Sequence, residues 1–304
     1  MTTRPKDVTP IGNNTPPSSV RTFLAKFWHL NRMGRIEGPP LAGLLILAAA
    51  ALSGAGITLD IWLAAVAMTA ICMNYVYLVN GVTDVAEDSI NSPQRPLARG
   101  DITVKEGWLY VHLLFALSII YPFFLHDTWS QRIMVWIILA MGFFYSMPPV
   151  RFKRFPPLAT IYLTINFNLP LIIGYQMATG HTDWPPYLLA TVALFLANMP
   201  LKDYGDRQGD METGMGNWVQ IVGSAPRLLL LSSLLSLAGA VACYVLLPDL
   251  GQYRLVYALL PLMPAANILI HKAFGWDMDQ MFTHGVRSLI GLCTAVILLH
   301  YLVG

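Results

Sequence analysis

The sequence predicts an all-α membrane protein of nine transmembrane helices, with a short interfacial helix before the first. Three observations predict it. Of the 304 residues 55% are hydrophobic and only 12% charged, whereas an ordinary soluble domain carries about 25% charged residues. The apolar residues gather into nine runs of near-spanning length. The basic residues then fall overwhelmingly on one side of those runs.

Taken in order, residues 1–20 are rich in Pro, Thr, Asn and Ser and read as a disordered polar tail without a signal peptide. Residues 21–36 (RTFLAKFWHLNRMGRI) mix Arg and Lys with Phe, Leu and Trp, which suits an amphipathic helix at the interface. A span needs about 20 mostly apolar residues. The runs near 39–56, 59–80, 105–125, 131–147, 157–179, 184–201, 226–247, 254–271 and 283–303 approach that length, the fourth and sixth being short. Residues 21–304 read as one domain.

With an inside N-terminus, the tail and interfacial helix hold six Lys and Arg, and the 2–3, 4–5 and 6–7 loops three each. The 8–9 region adds Lys272 and Arg287, so only Arg132 and Arg254 of the 19 lie on the other side. Positive residues mark the cytoplasmic face, so the N-terminus is placed there. The net charge of +2 is too small to suggest nucleic acid. Cys72, Cys243 and Cys293 all lie inside apolar runs without close spacing, which argues against a disulfide framework or a metal cluster. The seven histidines show no ligand spacing.

Two polar stretches break the pattern. In "LVNGVTDVAEDSINSPQRPLARG", Asn80, Asp84 and Asp88 recur at i, i+4 and i+8, one stripe on a helix. In "PLKDYGDRQGD", Asp203, Asp206 and Asp210 recur at i, i+3 and i+7. A shift of 122 residues lays Asp84 on Asp206 and Asp88 on Asp210. Both stretches follow even-numbered spans, so both face the cytoplasm, and the chain reads as two pseudo-repeat halves, about 39–147 and 157–271. A single aspartate here is most simply a solvated loop acid. Two matched rows on one side are harder to dismiss, because like carboxylates one turn apart repel each other and a cation between them removes the repulsion. All-oxygen ligands suit Mg²⁺, which bridges carboxylates to substrate phosphates. The interleaved Arg95, Arg99, Lys202 and Arg207 would hold phosphate oxygens.

These residues resemble the two aspartate-rich motifs of the UbiA superfamily of intramembrane prenyltransferases, N-D-x-x-D-x-x-x-D followed by R-P-(I/L)-x-x-G, and D-x-x-D-x-x-x-D. "YSMPPVRFKR" (Tyr145 to Arg154) is similar to the stretch after that family's fourth span. Gly81 departs from the pattern: it stands where many members have the first Asp, which leaves Asn80 and Asp84 as the essential pair of motif one. The resemblance implies nine helices around a central chamber and an allylic isoprenyl diphosphate as substrate. It implies Mg²⁺ held by Asn80, Asp84, Asp88, Asp203, Asp206 and Asp210, with Tyr145 and Arg151 near the diphosphate. Asn198, four residues before Lys202, is a chamber candidate. Asn166 and Asn168 lie inside the fifth span, which the resemblance implies helps line the chamber; contact of one of them with substrate is the alternative to helix–helix hydrogen bonding, their simpler role.

Three functions of different class follow. The first is transfer of an isoprenyl group to an electron-rich, aromatic small-molecule acceptor within the bilayer. The second is a terpene cyclase of the same superfamily. The third is a secondary transporter with an acidic ion site, although transporters place such residues near the midplane. The sequence does not name the acceptor.

Overall fold

The structure is a computed structural model and describes residues 26, 28–31, 38–247 and 254–303. The expected tail (1–20) lies outside these. Of the expected interfacial helix, only Lys26 and residues 28–31 are described, and they are helical. Lys26 pairs with Glu106, and Asn31 accepts from Asn74 (3.1 Å) and Tyr110 (3.3 Å), so this segment docks on the helices that follow.

Among the described residues the chain is all-helical, with no strand. The principal helices are α1 (Gly38–Ser53), α2 (Leu59–Thr83), α3 (Val85–Asn91), α4 (Val104–Leu125) and α5 (Trp129–Ser146). They continue as α6 (Pro156–Thr179), α7 (Leu188–Glu212), α8 (Ala225–Leu246), α9 (Arg254–Phe274) and α10 (Met281–Val303). By length and composition α2, α4, α6, α8 and α9 can each cross a membrane, as can the segment Met278–Leu302 that includes α10, and α1 is a shorter apolar helix. Their ends follow from local chemistry. Thr103 and Glu106 close a capping box at the start of α4, and Thr128 accepts from the Gln131 amide to begin α5.

α1 runs through the interior, packed on α2, α6 and α10. Its Leu41, Ala42, Ile46 and Ala49 are fully buried or nearly so. Gly174 makes the α1–α6 crossing possible, since a Cβ there would come within 2.2 Å of the Ile46 carbonyl oxygen. α5 packs on α2 and α6, α7 on α6 and α8, and α10 returns to α1 and α7, closing the bundle. The outward faces of α4, α8 and α10 expose Leu109, Phe124, Leu230, Leu246 and Leu302. Water would penalise such faces and lipid does not.

α7 carries Pro200, which cannot donate into the helix. In the turn before that proline, Ser232 of α8 donates to the Ala197 carbonyl (2.6 Å). The helix therefore continues beyond the expected 184–201 span to Glu212 and carries the second acidic row on its end. The first row differs from expectation. α2 ends at Thr83, Asp84 takes a non-helical backbone (φ −107°, ψ 19°), and α3 resumes at Val85.

Candidate active site

Both acidic rows open onto one cavity at the end of the bundle where α2 meets α3 and α7 leaves the apolar core. Asn80, Asp84, Glu87, Asp88 and Asn91 line it from the first half, and Lys202, Asp203, Asp206 and Asp210 from the second. The break at Asp84 does not scatter the first row, because α3 turns Glu87, Asp88 and Asn91 to the same space. Lower down the walls become apolar, with Met73, Val76, Met141, Phe167, Met199 and Val286.

Each carboxylate has a defined support. Asp84 accepts from Thr83 Oγ1 (3.1 Å) and Arg151 (3.1 Å) and pairs with Lys153. Arg151 also reaches Glu87 (2.8 Å) and the Thr83 carbonyl (3.2 Å). Arg95 pairs with Asp88. Across the cavity Lys202 lies 3.0 Å from Asp206 and 3.6 Å from Asp203. Asp203 accepts the Trp218 amide (2.9 Å), and Asn217 donates to both the Asp203 carbonyl (2.7 Å) and the Asp210 carboxylate (2.8 Å). Burial raises the pKa of Asp203 and pushes that of Asp210 up to about 6, with Lys202 opposing the rise in both. Burial likewise lowers that of Lys153, against the pull of Asp84. Desolvated carboxylates of this kind favour a bound cation.

The two rows are joined by Asn91. Its amide donates to the Asp206 carbonyl (3.0 Å) and its oxygen accepts from the Gly209 amide (2.8 Å). A Cβ at Gly209 would fall 2.5 Å from the Asn91 amide nitrogen, so the glycine is what lets α3 close on α7.

Several expected residues lie elsewhere. Arg99 is mostly exposed and faces Asp101 (3.3 Å), and Arg207 stacks on Tyr204 (4.3 Å) and pairs with Asp279. Neither lines the cavity. Arg151 and Arg95 brace motif-one carboxylates from behind, and the basic residue of the 4–5 loop that lines the cavity is Lys153. Asn198 is not among the lining residues. It sits at the α7–α10 crossing, where a Cβ on Gly285 would approach its oxygen to 2.8 Å. Tyr145 does line the cavity, with its ring stacked on Tyr162 at 6.2 Å and 23°. Asn91, Tyr162 and Asn217 are the residues that sequence reasoning passed over, while Glu87 and Lys153 are visible in the charged stretches but carry no site role there. Asn91 stands three residues past Asp88, a helical neighbour that the four-residue spacing of 80, 84 and 88 steps over to Ser92.

Among the described residues no three His, Cys, Asp or Glu side chains converge into a preformed metal cage. The acidic rim itself offers oxygen donors, the ligand type that Mg²⁺ takes from one or two carboxylates together with waters and substrate phosphates.

A sequence profile of the UbiA prenyltransferase family matches residues 41–280, most of the chain. The chain belongs to the UbiA prenyltransferase family. It is an integral, multi-pass membrane protein accordingly. Among its relatives, homogentisate phytyltransferase of Synechocystis sp. is 31% identical over 209 residues, covering 65% of this chain and 63% of that protein. Digeranylgeranylglyceryl phosphate synthase of Methanobrevibacter smithii is 32% identical over 145 residues, covering 45% and 50%. The chain thus spans about half to just under two thirds of the length of these curated relatives. A UbiA homologue from Archaeoglobus fulgidus, solved with GPP and Mg²⁺, has the same fold, with a TM-score of 0.62 at 19% identity over 90% of this chain and 99% of that one. The apo UbiA homologue from Aeropyrum pernix K1 superposes at 0.65, with 20% identity over 87% and 97%.

Proposed function

We propose that the protein transfers an isoprenyl group from an allylic polyprenyl diphosphate to an electron-rich aromatic acceptor within the membrane. Nine spans, with the N-terminus and both acidic rows cytoplasmic, are part of this reading. One observation carries it: two carboxylate rows from separate halves of the chain share the rim of a cavity whose lower walls are apolar. Such a cavity separates a charged end from a dry end, as a diphosphate with a hydrocarbon tail requires. The names of both relatives agree with prenyl transfer, and that of homogentisate phytyltransferase with an aromatic acceptor.

Asn80, Asp84, Asp88, Asp203, Asp206 and Asp210 are the residues that would hold Mg²⁺. Bound there, the metal supplies charge neutralisation to the departing diphosphate. Lys153 and Lys202, both lining the rim, bind the diphosphate oxygens and stabilise the charge that grows as the allylic C–O bond breaks. The electron pair of that bond leaves with the diphosphate. A ring carbon of the acceptor supplies the pair for the new C–C bond, and the ring then loses the proton from that carbon. The apolar wall excludes water that would capture the allylic cation, and the Tyr145–Tyr162 pair offers it an aromatic face.

The test is incubation of purified protein with Mg²⁺ and a panel of prenyl diphosphates, with and without phenolic acceptors. The expected result is no more than slow hydrolysis without acceptor, and rapid diphosphate release with prenylated product once an acceptor is added. A cyclic hydrocarbon or cyclic alcohol as the main product from diphosphate alone would move the protein to the cyclase class.

A further inference from the structure

Asn166 has no packing explanation. It lies on α6 inside the apolar part of the bundle, is 3% exposed, and lines the cavity. Its carboxamide oxygen has no hydrogen-bond partner. Pro170, four residues on, has no N–H to give to the Asn166 backbone carbonyl. Two acceptor groups without a helical or side-chain donor therefore sit on this one cavity-lining residue. Asn168, two positions away, shows what a structural asparagine does in the same helix: it donates to the Thr164 carbonyl (2.8 Å) and accepts from Thr191 Oγ1 (2.6 Å). A polar side chain at this depth is costly unless something pairs with it. Met73, Met141, Phe167 and Met199, which line the same cavity, carry no side-chain N–H or O–H to give.

We propose that Asn166 binds a hydroxyl of the aromatic acceptor, and that the acceptor's slot lies beneath the carboxylate rim beside Tyr162 and Asn166, alongside the apolar walls that take the isoprenoid tail. This rests on the prenyl-transfer reading and deepens it by assigning the acceptor side. An isoprenoid tail has no O–H to give, so a tail laid against Asn166 leaves the amide unpaired. A hydroxylated ring pairs with it. Tyr162 stands one turn above Asn166 on the same face of α6, and Phe152 packs on its ring at 5.3 Å. A flat ring against Tyr162 gains aromatic contact. It points one hydroxyl down to Asn166 and a ring carbon up toward the rim, where the allylic carbon is delivered. Asn166 is ten residues into α6, a depth of about 15 Å, which accommodates a diphosphate above and one ring below. The substrate class is a small arene with a free hydroxyl on the side away from the carbon that is prenylated.

The experiment compares wild type with Asn166→Leu, which keeps the volume, and Asn166→Ser, which keeps a polar group. Each is assayed in nanodiscs with Mg²⁺, geranylgeranyl diphosphate and homogentisate or its two mono-O-methyl ethers. Asn166→Leu should raise the phenol KM at least 10-fold. It should leave the diphosphate KM, and the thermal shift produced by Mg²⁺ with geranylgeranyl diphosphate, within twofold of wild type. Asn166→Ser should recover part of the loss, and masking the hydroxyl that Asn166 contacts should weaken wild type but not the Leu variant. An unchanged phenol KM in Asn166→Leu, or an equal rise in both KM values, overturns the assignment while leaving prenyl transfer standing. Wild-type protein that shows the diphosphate thermal shift yet prenylates no phenol overturns the prenyl-transfer reading itself.

Discussion

Asp84 and Asp206 occupy matched places in the two rows, and in this structure a lysine sits against each, Lys153 on the first and Lys202 on the second. Both lysines also line the rim, so carboxylates and amines share the mouth of the cavity. Asp84→Ala and Asp206→Ala should each lower turnover by about 10² to 10³-fold and abolish the thermal shift given by Mg²⁺ plus diphosphate. The proteins should still insert and fold, as size-exclusion profiles would show, and full activity of either variant or in EDTA would sink the metal–diphosphate reading. A second residue-scale prediction concerns His126, which is 1% exposed with neither ring nitrogen hydrogen-bonded. Burial lowers its pKa to about 4 from the ordinary 6.5. The unfolded chain therefore takes up a proton that the fold refuses. The neutral ring's contribution is complete above pH 6.5 and is lost as pH falls from there toward 4. The melting temperature should decline across that window in wild type and decline less in His126→Gln, measured in detergent by scanning fluorimetry. The acids of the two rows were legible from spacing alone. The partners that choose their side, Arg151 behind Asp84 and Lys153 before it, were not, because two basic residues two positions apart in a loop carry no periodicity to say which faces inward.

The short helix α3 gains its value from what it touches. Seven residues long, it is too short to be stable alone, and Asn91 at its end fastens it to α7 through the Asp206 carbonyl and the Gly209 amide. That contact fixes the spacing between the carboxylate rows. Removing it should act as loss of an outer-shell partner does, raising the Mg²⁺ concentration for half-maximal activity about 10-fold or more. Asn91→Ala is therefore expected to respond to added Mg²⁺ with recovery of most turnover, and a variant with an unchanged Mg²⁺ titration would show the contact to be packing only. Gly209→Ala should behave like it, since the added methyl displaces Asn91. At this scale the apolar runs located most helices to within a few residues: 105–125 became Val104–Leu125 and 157–179 became Pro156–Thr179. The exceptions are the two helices that bear the acidic rows. Hydropathy ends where charge begins, yet α7 continues to Glu212, and Asn91 and Asn217 hydrogen-bond along its acidic end. The first row instead splits at Asp84, whose carboxylate accepts from Thr83 and Arg151 outside the helical pattern.

For the whole molecule, the ring of helices matters less than the fact that both rows reach the same end of it. Asn91 touching α7, and Lys153 touching Asp84, require motif one, motif two and the 4–5 loop to lie on one membrane face. In the proposed topology the partition of basic residues puts that face in the cytoplasm, an argument independent of the contacts, and the hairpin between α6 and α7, with Thr182 exposed in it, on the other side. Cysteine labelling measures this directly, and the three native cysteines are all buried and leave a quiet background. The positions chosen matter: Gly209 cannot accept a side chain against Asn91, whereas Gln94 and Gln208 are exposed beside the two motifs. Gln94→Cys and Gln208→Cys should react with a membrane-impermeant maleimide only from the cytoplasmic side of sealed vesicles, and Thr182→Cys only from the other. Gln94→Cys and Gln208→Cys reacting from opposite sides would separate the rows across the bilayer. No diphosphate could then bridge them, and the shared rim on which the proposed chemistry depends would not exist.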